Sequence, residues 1–282
     1  MKIDSNYIPE LRKDLKYYSV ENNSVIIYLA DSKRTLKVTQ SVLSILLEID
    51  GKKTLEEIYQ TNFYGIKTYS DFEILFIELF DKTRMLEEEK SETSVAQSAL
   101  WLSCICINTK ILISIYSILK ILLIKKIVVA IMMLFVLLKI IFYYNYHSSF
   151  VFVFSFSISK IVIFYLIFLC ILIFHEIGHF SVSRHYGLQG DGIGIGLYYL
   201  LPVFYTDISE MWTINKQYRL YIDCGGIYFQ VIASLVFHFI LFFNNSTLLV
   251  TGILMNDIGI LINIIPIGRL DGYWILKDVK KS

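Results

Sequence analysis

Charge is scarce in this sequence. Charged residues make up 18% of the 282, against a hydrophobic fraction of 55% and a mean hydropathy of +0.58. A surface made from that composition cannot face water throughout. The net charge of +1 gives no support to a nucleic-acid footprint, which needs a clustered basic face. Cysteine is thin as well, with four residues, Cys104, Cys106, Cys170 and Cys224, and no metal-type spacing among them. Cys104 and Cys106 are too close for a C-x-x-C pair, while Cys170 and Cys224 sit in apolar runs, where a thiol acts as a small hydrophobe. A signal-peptide pattern is missing too. Residues 1–23 are polar, so the N-terminal part is expected to stay in the cytosol.

The charge that is present is unevenly spread. Residues 1–93 are charge-rich, like an ordinary soluble domain, and from Leu100 onward long stretches carry almost none. Phe and Tyr number 20 each, as suits helices facing lipid and its interfaces. Four segments, 127–144, 150–174, 220–243 and 247–265, are long enough, or nearly so, to cross a hydrocarbon core of roughly 30 Å. Lys139 in the first is expected to snorkel outward, and Lys160 is the one charge in the second. The shorter segment 111–124, with Lys120 inside it and Lys125 and Lys126 at its end, reads as an interfacial helix. The fold class is therefore a multi-pass α-helical membrane protein of about four spans with a small N-terminal α+β domain.

Basic residues orient the spans. Lys120, Lys125 and Lys126 precede the first; Arg184, Lys216 and Arg219 lie between the second and third; Lys277, Lys280 and Lys281 follow the fourth. The connections 145–149 and 244–246 contain no Lys or Arg. With the head inside, both termini are cytosolic, and the second and fourth spans both end on the cytosolic side.

His175-Glu176-Ile177-Gly178-His179 is an H-E-x-x-H motif continuing the second apolar segment. Positions i and i+4 share a helix face, so both imidazoles can hold one zinc, with Glu176 beside it as general base. Zinc lowers the pKa of bound water to about 7. Ionisable residues beside a lipid span are costly without a role. A catalytic zinc needs a third protein ligand, and two residues are candidates. His185 has the metzincin offset, but that arrangement needs a glycine where Val182 stands. Asp271, in Asn263-Ile-Ile-Pro266-Ile-Gly-Arg-Leu270-Asp271-Gly272, is the stronger candidate. It follows span four, on the side expected for His175 and His179, and Pro266 and Gly272 let the helix break and turn inward. Asp257, midway along span four, needs a partner or a water cavity; His238 on span three is a candidate partner, in a structural contact or along a substrate or proton path.

H-E-x-x-H in a span followed by N-x-x-P-x-x-x-L-D-G resembles the site-2 protease family of intramembrane metalloproteases, over about residues 127–274. The resemblance implies zinc (Zn2+) on His175, His179 and Asp271, with Glu176 as general base. Gly187 matches the glycine that commonly follows the metal helix. Gly225-Gly226-Ile227 stands at the family's small-residue site, and Gln230 where relatives often carry Asn. Residues 187–207, with Gly190, Gly192, Gly194 and Gly196, resemble the family's membrane-associated β loop, whose strand edge could hold an extended substrate by main-chain pairing. A flexible connector is the alternative reading. Asn263, Gly194 and Gly196 are the substrate-binding candidates.

In the head, 25–30 and 35–38 read as strands around a turn at 31–34. A helix follows with Val42, Ile45, Leu46 and Ile49 on one face, and Asp50-Gly51 stops it. Thr54 with Glu57, and Ser70 with Glu73, read as capping boxes for two further helices. The last of these is expected to bury Phe72, Leu75, Phe76 and Leu79. Two strands and three helices make a winged-helix-like domain, and no candidate recognition helix is notably basic. Residues 36–86, centred on Asp50-Gly51-Lys52-Lys53-Thr54-Leu55-Glu56-Glu57-Ile58, resemble PqqD-like peptide-binding domains, the leader-recognition elements of ribosomal peptide pathways. The expected organisation is 1–90 PqqD-like domain, 91–126 linker and interfacial helix, and 127–282 intramembrane metalloprotease domain. The resemblance implies an endopeptidase that matures a ribosomally made, modified peptide, beside a modifying enzyme and an exporter. The alternatives are cleavage of a single-span signalling protein, and a non-proteolytic peptide-binding immunity or export accessory.

Overall fold

The computed structural model describes residues 7–13, 15–20, 24–29, 34–61, 68–83, 85–86, 100–146, 158–198, 201–244, 246–266 and 270–280. Most of the turn expected at 31–34, the charged stretch 87–98 and the start of the expected second span, 150–157, lie outside them. The chain divides into two compact units, Met1–Ser98 with Trp212–Asn215, and Ala99–Met211 with Lys216–Ser282.

In the first unit, β1 (Leu15–Val20), β2 (Ser24–Leu29) and β3 (Arg34–Thr39) form an antiparallel sheet in that order. β1 adds a strand to the two expected. Helices α1 (Gln40–Glu48), α2 (Leu55–Thr61) and α3 (Tyr69–Thr83) follow. Asp50 and Gly51 end α1's exit: Gly51 adopts a φ of 72°, which costs an L side chain dearly, and Asp50 Oδ1 accepts from the Lys52 and Lys53 amides at 2.9 and 3.1 Å. Those amide bonds hold the Asp50 carboxyl below its ordinary range. The Thr54 box closes both ways, with Glu57 Oε2 accepting the Thr54 amide at 2.8 Å and Thr54 Oγ1 accepting the Glu57 amide at 3.3 Å.

The third helix departs from its expected start. Thr68 is the cap: its Oγ1 donates to Asp71 Oδ2 at 2.6 Å and accepts the Asp71 amide at 3.2 Å. Ser70 and Glu73 therefore lie inside α3. The buried stripe is Phe72, Phe76 and Phe80, while Leu75 is 52% exposed. A four-residue step keeps the rings on one line, and Phe76 and Phe80 stack at 4.2 Å.

In the second unit, β4 (Leu100–Asn108) leads into α4 (Thr109–Leu119) and a 3-10 turn. Next come α5 (Lys125–Tyr146), α6 (Ile158–His185), β5 (Gly192–Tyr198) and β6 (Leu201–Thr206). Then follow α7 (Lys216–Phe243), α8 (Thr247–Ile264) and α9 (Asp271–Lys280). Among the described residues, four helices are long and apolar enough to cross a membrane, at Lys125–Tyr146, Ile161–His185, Lys216–Phe243 and Thr247–Ile264. α4 is not a span: its 11 residues rise only about 16 Å, half of a hydrocarbon core. It buries Leu112 and exposes Ile111 and Ile118.

Apolar surface is turned outward and polar groups inward, the reverse of a water-soluble bundle. α5 exposes Val129, Met133, Val136, Leu137 and Ile140, whereas α7 and α8 bury Gln230, Ser234, Asn256 and Asp257. Without water, close packing of small residues replaces the hydrophobic drive between helices. α6 and α7 cross where a Cβ on Gly178 would collide with the Gly225 carbonyl oxygen.

β4, β5 and β6 form a second antiparallel sheet in the order β4-β5-β6. The stretch expected as linker and interfacial helix, 91–126, thus also contains a strand, ahead of its helix. Leu-Trp-Leu-Ser-Cys-Ile-Cys-Ile is apolar on both faces and carries no period-two signal.

Candidate metal centre

α6 runs on through the H-E-x-x-H residues to His185, and Gly187, at a φ of 85°, turns the chain out of it. Its amide donates to the Arg184 carbonyl at 3.1 Å, and the Leu188 amide to that of Ser183 at 3.1 Å. On this continuous helix His175 and His179 project from one face, their Nε2 atoms 3.1 Å apart. Asp271, the first residue of α9, reaches both rings. Its Oδ2 is 3.3 Å from His175 Nε2 and its Oδ1 3.4 Å from His179 Nε2. Zinc with ligand bonds of about 2.0–2.1 Å holds its donors about 3.3 Å apart along the edges of a tetrahedron. The three separations fit that figure. Among the described residues this is the one cluster of His, Cys, Asp or Glu that could hold a metal ion.

The donors are chemically prepared for a cation. Both histidines are 6% exposed. His179 Nδ1 is 2.8 Å from the Ile222 carbonyl oxygen, and His175 Nδ1 is 3.2 Å from Gln230 Oε1. Acceptors at Nδ1 put the proton there and leave each Nε2 lone pair facing the centre. Burial by itself would raise the Asp271 carboxyl, but protonated imidazoles at His179 and His175, the charge a bound cation would replace, outweigh it and hold the group far below the usual carboxylate range. Asp271 Oδ2 is buried and takes part in no hydrogen bond among the described residues.

The walls are built to the same end. A Cβ on Gly226 would lie 2.5 Å from His179 Nε2 and 2.6 Å from His175 Nε2, so only glycine leaves both rings their place. Gln230 is 1% exposed. Its Oε1 also accepts from Asn263 Nδ2 at 3.1 Å, and its carbonyl oxygen accepts from Asn256 Nδ2 at 2.9 Å. Asn263 therefore stands behind His175, with Nδ2 3.4 Å from its Nδ1.

Glu176 is held from the β loop. Thr206, the last residue of β6, donates its hydroxyl to Glu176 Oε2 at 2.8 Å and approaches the Glu176 carbonyl oxygen at 3.0 Å. Gly194 and Gly196 lie on the middle strand. Gly194 is opposite Ile105 on β4 and Tyr205 on β6, and Gly196 is opposite Val203. Their main chain sits between two paired strands, so the loop's free edge belongs to β6 and not to them. His185 is exposed at the end of α6, its ring against Tyr186, and is not part of the cluster.

Asp257 has partners other than His238. Lys139 Nζ donates to its Oδ2 at 2.7 Å and the Tyr143 hydroxyl at 2.9 Å. Lys139 thus points into the bundle instead of snorkelling, because a lysine in apolar surroundings is stabilised most by a carboxylate it can reach. His238 Nδ1 is 2.6 Å from the Ser234 carbonyl oxygen, and its ring packs edge-on to Phe142.

Thr206 and the Ile222 carbonyl were not legible as site groups. The first is an ordinary β residue thirty positions from Glu176, and the second is a main-chain atom that carries no side-chain signal. Gly226 and Gln230 were singled out by the resemblance, at its small-residue site and at the position where relatives often carry Asn, and a four-residue step puts them on one face of α7.

Among curated proteins, the chain is similar to the "Putative peptide zinc metalloprotease protein YydH" of Bacillus subtilis (strain 168), at 26% identity over 107 residues. That stretch is 37% of this chain and 42% of that protein, so the match spans less than half of the relative's length. No protein-family model matches the chain, and no solved structure matches it.

Proposed function

We propose that this chain is a membrane-embedded, zinc-dependent endopeptidase of the site-2 protease kind. The observation that carries the reading is the meeting of three ligand residues, with donor-atom separations of 3.1–3.4 Å, from positions almost a hundred apart in the chain. His175, His179 and Asp271 would hold the zinc, which when bound would polarise a peptide carbonyl and lower the pKa of attacking water to about 7. Glu176 takes the proton of the attacking water as the C–O bond forms, and returns it to the leaving amine as the C–N bond breaks. The Thr206 hydroxyl keeps that carboxylate aimed.

A peptide bond within a helix is shielded by its own hydrogen bonds. β6 offers an edge on which an extended substrate can pair, and it ends at Thr206, beside Glu176. The N-terminal unit, read as a PqqD-like domain, would capture a ribosomally made and modified precursor, and the membrane site would cleave it. The relative's name contains "zinc metalloprotease", which supports a metalloprotease. A modifying enzyme and an exporter are the partners it implies, with lipid around the spans, no nucleic acid, and both termini in the cytosol.

Glu176→Gln removes the base and leaves the ligands. Cleavage of a co-expressed precursor should fall by about 10²–10⁴-fold with bound zinc unchanged by elemental analysis, and chelation of the wild type should abolish cleavage reversibly. Undiminished cleavage in Glu176→Gln would refute the mechanism, and a wild type that retains no zinc would restore the non-proteolytic accessory.

A further inference from the structure

α7 supplies more of the centre than the motifs suggest. Arg219, Asp223, Gly226 and Gln230 step along it by four, three and four residues, which keeps them on one face. Gly226 makes room for both imidazoles and Gln230 orients His175, while the carbonyl of Ile222 orients His179. One end of that stripe remains unexplained by the reaction. Arg219, counted in the sequence as one of the positive charges between spans, is not a solvated surface charge. Its Nε donates to Asp278 Oδ2 at 2.8 Å and its Nη2 to Asp278 Oδ1 at 3.2 Å, with side-chain exposures of 15% and 4%.

Asp278 lies seven residues after Asp271, two turns along α9 and on the same face. The residues that α9 buries are Gly272 and Asp278. Tyr273, Leu276 and Val279 are exposed. Gly272 meets the end of α8 so closely that a Cβ would strike the Ile264 carbonyl oxygen, which sets the helix's distance but not its rotation. One residue of slip turns a helix by about 100°, enough to swing the Asp271 carboxylate off the imidazoles. A two-pronged guanidinium–carboxylate pair is the kind of contact that fixes both direction and register, which a point-charge lysine does not do.

We propose that Arg219 and Asp278 are positioning residues for the metal centre, locking α9 against α7 so that Asp271 completes the ligand set. This rests on the metal reading above. The test uses the full-length chain purified in detergent. Zinc affinity is measured by competition with a chromophoric chelator, and ligand geometry by the visible absorption of the cobalt-substituted protein, with His175→Ala as the site control. Arg219→Lys keeps the charge and loses the fork; Asp278→Asn keeps the shape and loses the charge. Each should weaken zinc binding by about 10–100-fold and reduce the tetrahedral cobalt bands, while the metal-free protein melts within a few degrees of the parent. The reversed pair, Arg219→Asp with Asp278→Arg, should recover part of both signals. Zinc affinity and cobalt bands unchanged in the two single variants would overturn the proposal and leave the proposed function standing. So would a loss that tracks melting of the metal-free protein and is not relieved by the reversed pair, which would make the contact a staple of the fold. If the wild type holds no zinc, or His175→Ala leaves the cobalt bands intact, the centre itself fails and the inference with it.

Discussion

The smallest residue in the centre carries one of its strictest demands. Two imidazoles fill the volume that any side chain at position 226 would need. Gly226→Ala should therefore displace one ring and lower zinc affinity by at least ~10-fold, read by chelator competition, with the helical signal preserved. Thr206 makes a demand of a different kind. It touches no ligand, and its hydroxyl holds the Glu176 carboxylate at 2.8 Å. A hydrogen bond to a charged group is worth about 1.5–3 kcal/mol, so Thr206→Val should lower kcat by ~10-fold or more at unchanged zinc content. A fall in zinc content in that variant would instead place Thr206 among the determinants of metal binding.

At the level of elements, α5 meets α8 through an apolar cluster, Phe142 with Val250 and Ile253, and through one polar contact. Its outer face is apolar, its one buried apolar residue is Phe142, and its polar contact to α8 is Lys139 and Tyr143 on Asp257. Removing one partner leaves an uncompensated charge. Lys139→Met should cost about 3–5 kcal/mol of stability, measured by unfolding in mixed micelles, whereas Lys139→Met with Asp257→Leu should return most of it. If the single and double variants unfold alike, Asp257 takes its stabilisation from elsewhere. The capping boxes show the same dependence on local chemistry. The Thr54–Glu57 pair was legible because both bonds are made within three residues. The start of α3 was misplaced because Thr68–Asp71 offers the same chemistry two residues earlier than Ser70–Glu73.

For the whole molecule, the second and fourth apolar helices must run toward the same side, since His179 on α6 and Asp271 beyond the end of α8 are 3.4 Å apart at their donor atoms. With four spans the chain returns to the side from which it started. On the reading proposed above, the excess of Lys and Arg in the connections on that side makes it the cytosolic one. Fluorescent-protein fusions at either terminus should be bright and secreted-phosphatase fusions inactive; the opposite pattern at either end would reverse the assignment.

The sequence by itself determined which helices are apolar enough to span, because hydropathy is additive along a segment and needs no partner. It also determined that His175 and His179 share a face, because a four-residue step does so on any α-helix. Beyond the pairing of Asp271 with the two histidines, to which the motifs already pointed, the contacts between segments distant in the chain were decided only by the tertiary structure. The pairing of β4 with β5 was hidden because residues 100–108 are apolar on both faces. Asp257's choice of Lys139 over His238 turned on which of two neighbouring helices brought a donor within reach. The hold of Thr206 on Glu176, and of Arg219 on Asp278, depends on distances that no local pattern encodes. In a membrane those distances are decided by small residues letting backbones touch and by polar groups finding one another, and both are properties of pairs of helices, not of either helix alone.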